Sequence, residues 1–220
     1  MTDEYRRRLS RYEAAETPCA REPLEDGGAM DFFSPFGPMI ARLRAPASLV
    51  ESVNRYMDAK IAAHPGRLEH FSLEERFLFE GGERSLAAST ARWIGRYLGF
   101  ADDRELAKVR FENFWMVRHF DGSFSPVHFH SGDISGVLYL RLPEQIANER
   151  EEERASYLSA RRAGYITFLI GGKQRLSKSL ISFKPQVGDF YIFPGWLLHA
   201  VEPFSGEGER RSMSFNAFIS

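Results

Sequence analysis

The most informative part of this chain reads Ser125-Pro126-Val127-His128-Phe129-His130 and then, after three residues, Ile134-Ser135-Gly136-Val137-Leu138-Tyr139-Leu140. In an extended strand, residues i and i+2 project from the same face, so His128 and His130 point their imidazoles at one place. A third histidine, His199, follows the strand-like run Asp189-Phe190-Tyr191-Ile192-Phe193. A strand that ends near the pair supplies a third nitrogen, which is how a single metal ion is held with open positions.

Short apolar runs, separated by glycine and proline, fill the chain from Val109 onward. The predicted strands cover residues 109–120, 134–142, 164–170, 180–183, 189–193 and 212–219. Many short strands without alternating helices are typical of an antiparallel sandwich or barrel. Because helical patterns precede these strands, the sequence predicts an α+β fold class.

Two helices are predicted before the strands. A capping box at residues 48–51 opens the first, whose apolar residues recur at three- to four-residue steps until it ends before Pro65. The second runs over about 83–98, with Gly99 as its stop signal. Weak alternation over residues 38–43 indicates a strand.

The first thirty residues differ from the rest of the chain. They are charged, contain two prolines and a Gly27-Gly28 pair, and show no sustained period. We expect a loose arm over residues 1–30, or a short surface helix from Tyr5 to Ala15. Residues 31–220 are then a single domain, which suits their length.

The composition limits the classes of partner. Of 220 residues, 29 are Lys or Arg and 30 are Asp or Glu, which gives a net charge of −1. This balance gives no electrostatic reason to expect a nucleic acid or an anionic membrane as a partner, and an oligomer is compatible with it. No apolar run approaches the ~20 residues of a membrane span. The single cysteine, Cys19, excludes an internal disulfide and favours a cytoplasmic location.

A charged stretch, residues 144–162, interrupts the predicted strands. It includes Glu149-Arg150-Glu151-Glu152-Glu153-Arg154. Two interpretations stay open, a solvated helix and a lid beside the opening of a site. The composition favours the solvated helix, because a run of charges usually marks a solvent-exposed face.

The ligand set has an alternative in Asp133. Two histidines and one carboxylate are the ligands of non-haem Fe(II) oxygenases, and Asp133 lies three residues after His130. Strand alternation does not aim Asp133 at the pair, so it is expected as a substitute ligand or as a partner of a ligand imidazole. The remaining histidines, His64, His70 and His119, are expected to be packed or surface residues. An indirect role beside the metal ligands stays open for His119.

The C-terminal segment combines a polar and an apolar face. As a strand, it places Arg210, Ser212 and Ser214 on one side, together with Asn216, and Met213 with Phe215 on the other. An arginine followed two residues later by a hydroxyl suits a small dicarboxylate, because the guanidinium gives a bidentate fork and the hydroxyl adds a donor. The apolar side is expected in the core, so the polar side meets either solvent or a wet cavity.

Together these segments resemble the 2-oxoglutarate- and Fe(II)-dependent oxygenases, and most of all a bacterial and phage branch of that superfamily. The resemblance extends from about Trp115 to Asn216 and is weaker at residues 32–38. Besides the three histidines, it is carried by Ser135 to Leu140, Gly188-Asp189, Phe193-Pro194, Trp196-Leu197 and Arg210-x-Ser212-x-Ser214-Phe215-Asn216. Each piece is a weak signal, whereas the series is specific.

The resemblance implies a double-stranded β-helix, or jelly-roll, core with the N-terminal helices packed on one sheet. It implies a hydroxylase that acts on a small molecule or a protein, with Fe(II) at the three histidines and 2-oxoglutarate as co-substrate. Arg210 and Ser212 would hold the far carboxylate of 2-oxoglutarate, and Tyr139 can donate a hydroxyl to it.

Three positions depart from the pattern of the superfamily. The second ligand is His130, where the wider superfamily has Asp or Glu, so a bound iron keeps one more unit of positive charge. The loop after His130 is one residue shorter than the expected pattern. Gly195 stands where a serine usually precedes Trp196.

Two other functions stay open from the sequence. A cupin-type three-histidine dioxygenase that needs no 2-oxoglutarate fits in part, because Gly122 with the histidine pair and Gly188 with His199 match portions of the two cupin motifs. The glutamate that a cupin carries after the pair is missing, and Arg210 with Ser212 is unexplained. A non-catalytic binding module is favoured by the neutral third ligand and disfavoured by the same arginine and serine.

Overall fold

The computed structural model describes residues 18–35, 37–101, 108–147, 163–171 and 179–220. The helices in these ranges are α1 (Ala47–Ala63), α2 (Glu75–Phe79), α3 (Leu86–Ala101) and α4 (Glu144–Ala147). The strands are β1 (Ala20–Pro23), β2 (Ala29–Phe33), β3 (Ile40–Arg44), β4 (His70–Ser72), β5 (Val109–His119), β6 (Ser125–His128), β7 (Ile134–Arg141), β8 (Ile166–Leu169), β9 (Leu180–Phe183), β10 (Asp189–Pro194), β11 (Leu198–Val201) and β12 (Arg210–Ile219).

Two antiparallel sheets form the fold. In the part of the chain described, the larger sheet has the strand order β1-β2-β3-β10-β7-β12-β5-β4 and the smaller sheet the order β6-β11-β8-β9. From β5 onward the chain passes back and forth between the sheets, so β5, β7, β10 and β12 lie in the larger one. Eight strands wound in this way are a jelly roll. The predicted α+β class with a double-stranded β-helix core is therefore confirmed.

Side-chain alternation along the larger sheet separates two apolar cores. Leu138 of β7 and Phe215 of β12 pack in one cluster with Met57 of α1 and Ile94 of α3. The side chains next to these in sequence point the other way, toward the smaller sheet. In this second cluster, Val137, Tyr139, Tyr191 and Phe193 of the larger sheet meet Ile166, Phe168 and Phe183 of the smaller sheet. Each large apolar side chain buried in this way contributes roughly 2 kcal/mol. The helices thus pack on one face, as predicted, and leave the other face to an interior between the sheets.

The strand predictions are largely confirmed. The strand predicted at 180–183 coincides with β9, and the other five predicted strands overlap β5, β7, β8, β10 and β12. The weak alternation at residues 38–43 corresponds to β3. Sequence analysis missed β4, because three residues that are mostly exposed carry no period.

The helix predictions are right in position, and the first helix ends before Pro65 as predicted, but its start signal and the stop signal of the second helix are wrong. No side chain caps α1, which begins directly after Pro46, so the predicted capping box at Ser48 is wrong. Helix α3 continues past Gly99, and it begins where Ser85 Oγ accepts the Ala88 N–H at 3.1 Å. None of the helices in the described ranges is long and apolar enough to span a membrane.

The predicted N-terminal arm is partly described. Strands β1 and β2 pair with each other, and Arg21 faces Asp31 across them with a 2.6 Å ion pair. The expectation of a loose segment is therefore wrong for residues 20–30, while the division into an arm and one domain stays a prediction. The helix expected from Tyr5 to Ala15 lies outside the described residues. The charged segment predicted at residues 144–162 is described only for its first four residues, which form α4, and residues 148–162 lie outside the described ranges.

Gly136 lies where the central strands of the larger sheet come closest. In the middle of β7, it is opposite Ile192 of β10 and Phe215 of β12. A Cβ atom at this position would overlap the Phe215 ring and the Tyr191 carbonyl oxygen. Only glycine therefore lets the three strands keep this separation.

We expect Gly136→Ala to destabilise the protein by about 3 kcal/mol, because the added methyl group overpacks the sheet. Gly99→Ala is the matched control: Gly99 is exposed in α3 with no atom within 4 Å of its added Cβ, so alanine should stabilise by about 1 kcal/mol. Urea denaturation of the two variants measures both effects. A Gly136→Ala protein as stable as the wild type would contradict the packing described here.

Candidate metal centre

Three histidines converge between the two sheets. His128 ends β6 and is the cross-strand partner of His199 in β11, while His130 follows two residues after β6. The ring centroids lie 4.2 Å apart for His128 and His199, 5.0 Å for His128 and His130, and 5.1 Å for His130 and His199. One nitrogen of each ring lies within 4.8 Å of the other two. The strand spacing thus brings together the residues that the sequence predicted.

Backbone contacts set the tautomers of two of the histidines. His128 Nδ1 lies 2.7 Å from the Pro126 carbonyl oxygen, and His199 Nδ1 lies 2.9 Å from that of Leu197. Because a carbonyl only accepts, each Nδ1 carries the proton and donates it. The Nε2 lone pairs of both rings are then free, which is the tautomer that a metal ligand requires.

His130 is positioned by the turn between β10 and β11. Its backbone N–H donates to the Gly195 carbonyl at 2.8 Å, and the Gly195 N–H donates to the Asp133 carbonyl at 2.9 Å. A Cβ at Gly195 would collide with the Gly132 carbonyl oxygen. Because Gly132 lies in the short loop after His130, this loop leaves no room for a serine at position 195. The Trp115 ring packs edge-on against His130 with centroids 5.5 Å apart.

Asp133 is not part of this centre. Its side chain is exposed, and its Oδ2 accepts the Ile219 N–H at 3.0 Å at the end of β12. The group of convergent ligand atoms contains the three histidines without it. The expectation that Asp133 substitutes for a ligand or holds a ligand imidazole is therefore wrong. The turn through Gly132 directs its carboxylate away, toward the edge of β12.

Burial keeps two of the imidazoles, His130 and His199, neutral. Burial, together with His128, lowers the pKa of His130 to about 4. Burial lowers the pKa of His199 to about 3, although its hydrogen bond to the Leu197 carbonyl acts in the opposite direction. Neutral rings at physiological pH leave their lone pairs available to a cation.

A cavity of about 110 Å³ extends from the histidines into the interior between the sheets. Its walls include every site residue that the sequence proposed except Asp133, namely His128, His130, His199, Tyr139, Arg210 and Ser212. Ser214 lines it as well, so the polar face of β12 meets the cavity.

Arg210 is a buried cation at the end of β12 that lines this cavity. It is 2% exposed, its Nη2 donates to the Tyr139 hydroxyl at 3.1 Å, and its guanidinium lies 5.0 Å from the Tyr139 ring centroid. Its Nε has no hydrogen-bond partner, and no carboxylate pairs with it among the described residues. Burial raises the pKa of Tyr139, so the hydroxyl stays protonated. A buried positive charge without a carboxylate partner favours an anionic ligand.

His119 is the cavity residue that sequence analysis left without a defined role. It lies on β5 directly opposite Arg210, and Arg210 Nη1 donates to its Nδ1 at 2.6 Å. Trp115, Val117 and His119 all line the cavity. The signal was present in the sequence as this i, i+2, i+4 spacing, but its meaning depends on the pairing of β5 with a distant strand.

Residues 113–216, a little under half of the chain, match the sequence family described as "Putative 2OG-Fe(II) oxygenase". This match agrees with the resemblance of the motifs to the 2-oxoglutarate- and Fe(II)-dependent oxygenases. Among curated proteins, no sequence matches the chain.

Several solved structures are similar in fold. A prolyl-4-hydroxylase from Pseudomonas putida is 14% identical, with a TM-score of 0.49 over 85% of this chain and 91% of that one. A viral collagen prolyl hydroxylase from Paramecium Bursaria Chlorella virus-1, in complex with 2-oxoglutarate, is 16% identical, with a TM-score of 0.48 over 81% and 94%. HygX from Streptomyces hygroscopicus, with nickel and 2-oxoglutarate bound, is 11% identical, with a TM-score of 0.48 over 99% and 86%. At such identities, the ligands of these proteins do not transfer to this chain.

The buried histidines predict how the stability of the metal-free protein depends on pH. The folded pKa values of His119, His130 and His199 lie at about 4, 4 and 3, below the unfolded value of about 6.5. As pH falls below about 6.5, the unfolded chain therefore takes up protons that the folded chain does not, and stability decreases. Urea midpoints should drop from pH 7 to pH 5.5, above the range in which carboxylates titrate. In His199→Gln, the urea midpoint should drop less than in the wild type between pH 7 and pH 5.5. An equal drop would show that His199 is not a buried neutral histidine.

Proposed function

We propose that the protein is a non-haem Fe(II)- and 2-oxoglutarate-dependent oxygenase that hydroxylates its substrate. The observation that carries this proposal is a single cavity that joins three convergent imidazoles to a buried guanidinium without a carboxylate partner among the described residues. The first group suits a divalent metal ion and the second suits a carboxylate. The family match of residues 113–216 supports the same chemistry.

The donor set fits a divalent metal ion. His128, His130 and His199 would hold it, because their ligand atoms converge, burial keeps His130 and His199 neutral, and Nδ1 of His128 and of His199 is engaged by the backbone, which leaves Nε2 free. Three protein ligands leave positions for a co-substrate and for O2. When bound, the iron supplies O2 activation coupled to oxidation of 2-oxoglutarate and hydroxylation of a substrate C–H bond.

Arg210, Ser212 and Tyr139 would hold 2-oxoglutarate. The guanidinium offers charge-assisted hydrogen bonds to the far carboxylate, with the Ser212 hydroxyl on the same strand face as a further donor. Tyr139 already accepts from Arg210 through its oxygen, so its own proton is free to point at a ligand. Val117 and Ile166 add apolar surface to the walls of the same cavity.

His130 in place of a carboxylate changes the charge of the site rather than its capacity to bind. No acidic side chain lines the cavity within the described residues, so the two charges of a divalent ion and that of Arg210 are balanced by bound ligands alone. Dianionic 2-oxoglutarate neutralises two of these three positive charges.

We also propose a cytoplasmic location, which the single free cysteine, Cys19, supports.

The ligand assignment predicts which variants lose the metal. His199→Ala should weaken Fe(II) or Ni(II) binding by at least about 100-fold, since loss of even an indirect partner of a ligand costs 10–100-fold. Asp133→Asn and the exposed His64→Ala should bind as the wild type does. Equilibrium competition with a metal chelator measures all three. Metal binding that is lost in Asp133→Asn and kept in His199→Ala would reverse the assignment.

The co-substrate site is tested by anaerobic titration of the Fe(II)-loaded protein with 2-oxoglutarate, followed by the weak visible charge-transfer band of the chelate. The wild type should give a saturable band. Arg210→Ala should keep the iron and weaken 2-oxoglutarate by at least about 30-fold, because a buried charge pair is worth ~2 kcal/mol or more.

Arg110→Ala is the matched control, since Arg110 is exposed on β5 away from the cavity lining. Iron binding without a band in the wild type would favour a three-histidine dioxygenase of the cupin type. Absence of metal binding would favour a non-catalytic module.

A further inference from the structure

His119 has a place in the cavity that the proposed function does not use. Strand register sets it directly opposite Arg210, and its side chain is 9% exposed. Arg210 Nη1 lies 2.6 Å from His119 Nδ1. Arginine has only donors, so this nitrogen of His119 is the unprotonated one and accepts the bond.

The other ring nitrogen of His119 faces the strand that leads to the metal centre. Its Nε2 lies 3.4 Å from the Ser125 hydroxyl, at the start of β6, and His128 is the last residue of that strand. Because Nδ1 accepts, a neutral His119 carries its proton on Nε2, toward Ser125. The ring therefore bridges the buried arginine of β12 and the first strand of the smaller sheet.

The chemical nature of this partner matters because Arg210 is buried. A carboxylate at position 119 would also orient the guanidinium, but it would neutralise the charge that a ligand needs. Burial and the adjacent Arg210 lower the pKa of His119 to about 4, so the ring is uncharged at physiological pH. The uncharged His119 ring fixes Arg210 Nη1 by a hydrogen bond and leaves the full positive charge of the guanidinium in the cavity.

We propose that His119 is a positioning residue, which orients the Arg210 guanidinium without neutralising it and so adapts the cavity to a doubly charged carboxylate ligand. The inference rests on the proposed function, in which that ligand is 2-oxoglutarate. In the part of the chain described, no hydrogen bond or ring contact joins His119 to a metal-centre histidine. Its effect belongs to the affinity for the co-substrate and not to the affinity for the metal.

Three variants separate orientation from charge. His119→Asn keeps an acceptor near the position of Nδ1, His119→Asp places a negative charge at the same position and size, and His119→Leu removes the acceptor. Each is loaded with Fe(II) without oxygen and titrated with 2-oxoglutarate through the charge-transfer band. Metal affinity is measured separately for each by chelator competition.

His119→Asn should bind 2-oxoglutarate close to the wild-type affinity, whereas His119→Asp and His119→Leu should bind at least about 10-fold more weakly. All three variants should bind the metal as the wild type does. If His119→Asp binds 2-oxoglutarate as tightly as His119→Asn, the proposal is overturned, and this isosteric pair decides it even where His119→Leu does not fold. Metal affinity that falls in parallel with 2-oxoglutarate affinity would overturn it too. A wild-type protein that binds iron but no 2-oxoglutarate would refute the proposed function and this inference together.

Discussion

A strand buried on both faces must serve two interiors with alternate side chains, and β12 meets this constraint with two consecutive arginines. Arg210 turns into the cavity and Arg211 turns toward the helices, and they are 2% and 1% exposed. Arg211 is neutralised by Glu209 at 2.6 Å and Asp58 at 2.8 Å. Arg210 meets a neutral imidazole and a phenol. The same residue type thus has a structural role at one position and is left able to bind an anion at the next.

The cluster around Arg211 holds the register on which the cavity depends. Glu209 accepts from Arg118 of β5 at 2.8 Å as well as from Arg211. Although burial alone raises the pKa of Glu209, these two arginines hold it below its usual value. Breaking a buried pair costs about 3–5 kcal/mol, so the cluster fastens β12 to β5. A slip by one residue would exchange the two arginines between the interiors.

Local sequence patterns predicted the parts of the site that one strand defines. The i, i+2 spacing of His128 and His130, and of Arg210 and Ser212, fixes a shared face without any knowledge of the neighbours. Asp133 was misjudged because its direction depends on the turn through Gly132, which packs against a residue far along the chain. His119 was underrated because its partner is on β12, and its place in the i, i+2, i+4 series of β5 does not by itself identify that partner. Strand register decides both, and it is a property of the whole sheet.

The contact between Gly132 and Gly195 makes two distant segments one unit in evolution. A serine at position 195 collides with the Gly132 carbonyl while the loop keeps its present length. A longer loop would move that carbonyl and remove the need for glycine. A serine at position 195 is therefore tolerated only together with a longer loop, so the effect of one change depends on the other. A chain that received the serine by recombination, without a longer loop, would place the new side chain against the Gly132 carbonyl, next to the hydrogen bond that holds the His130 backbone N–H.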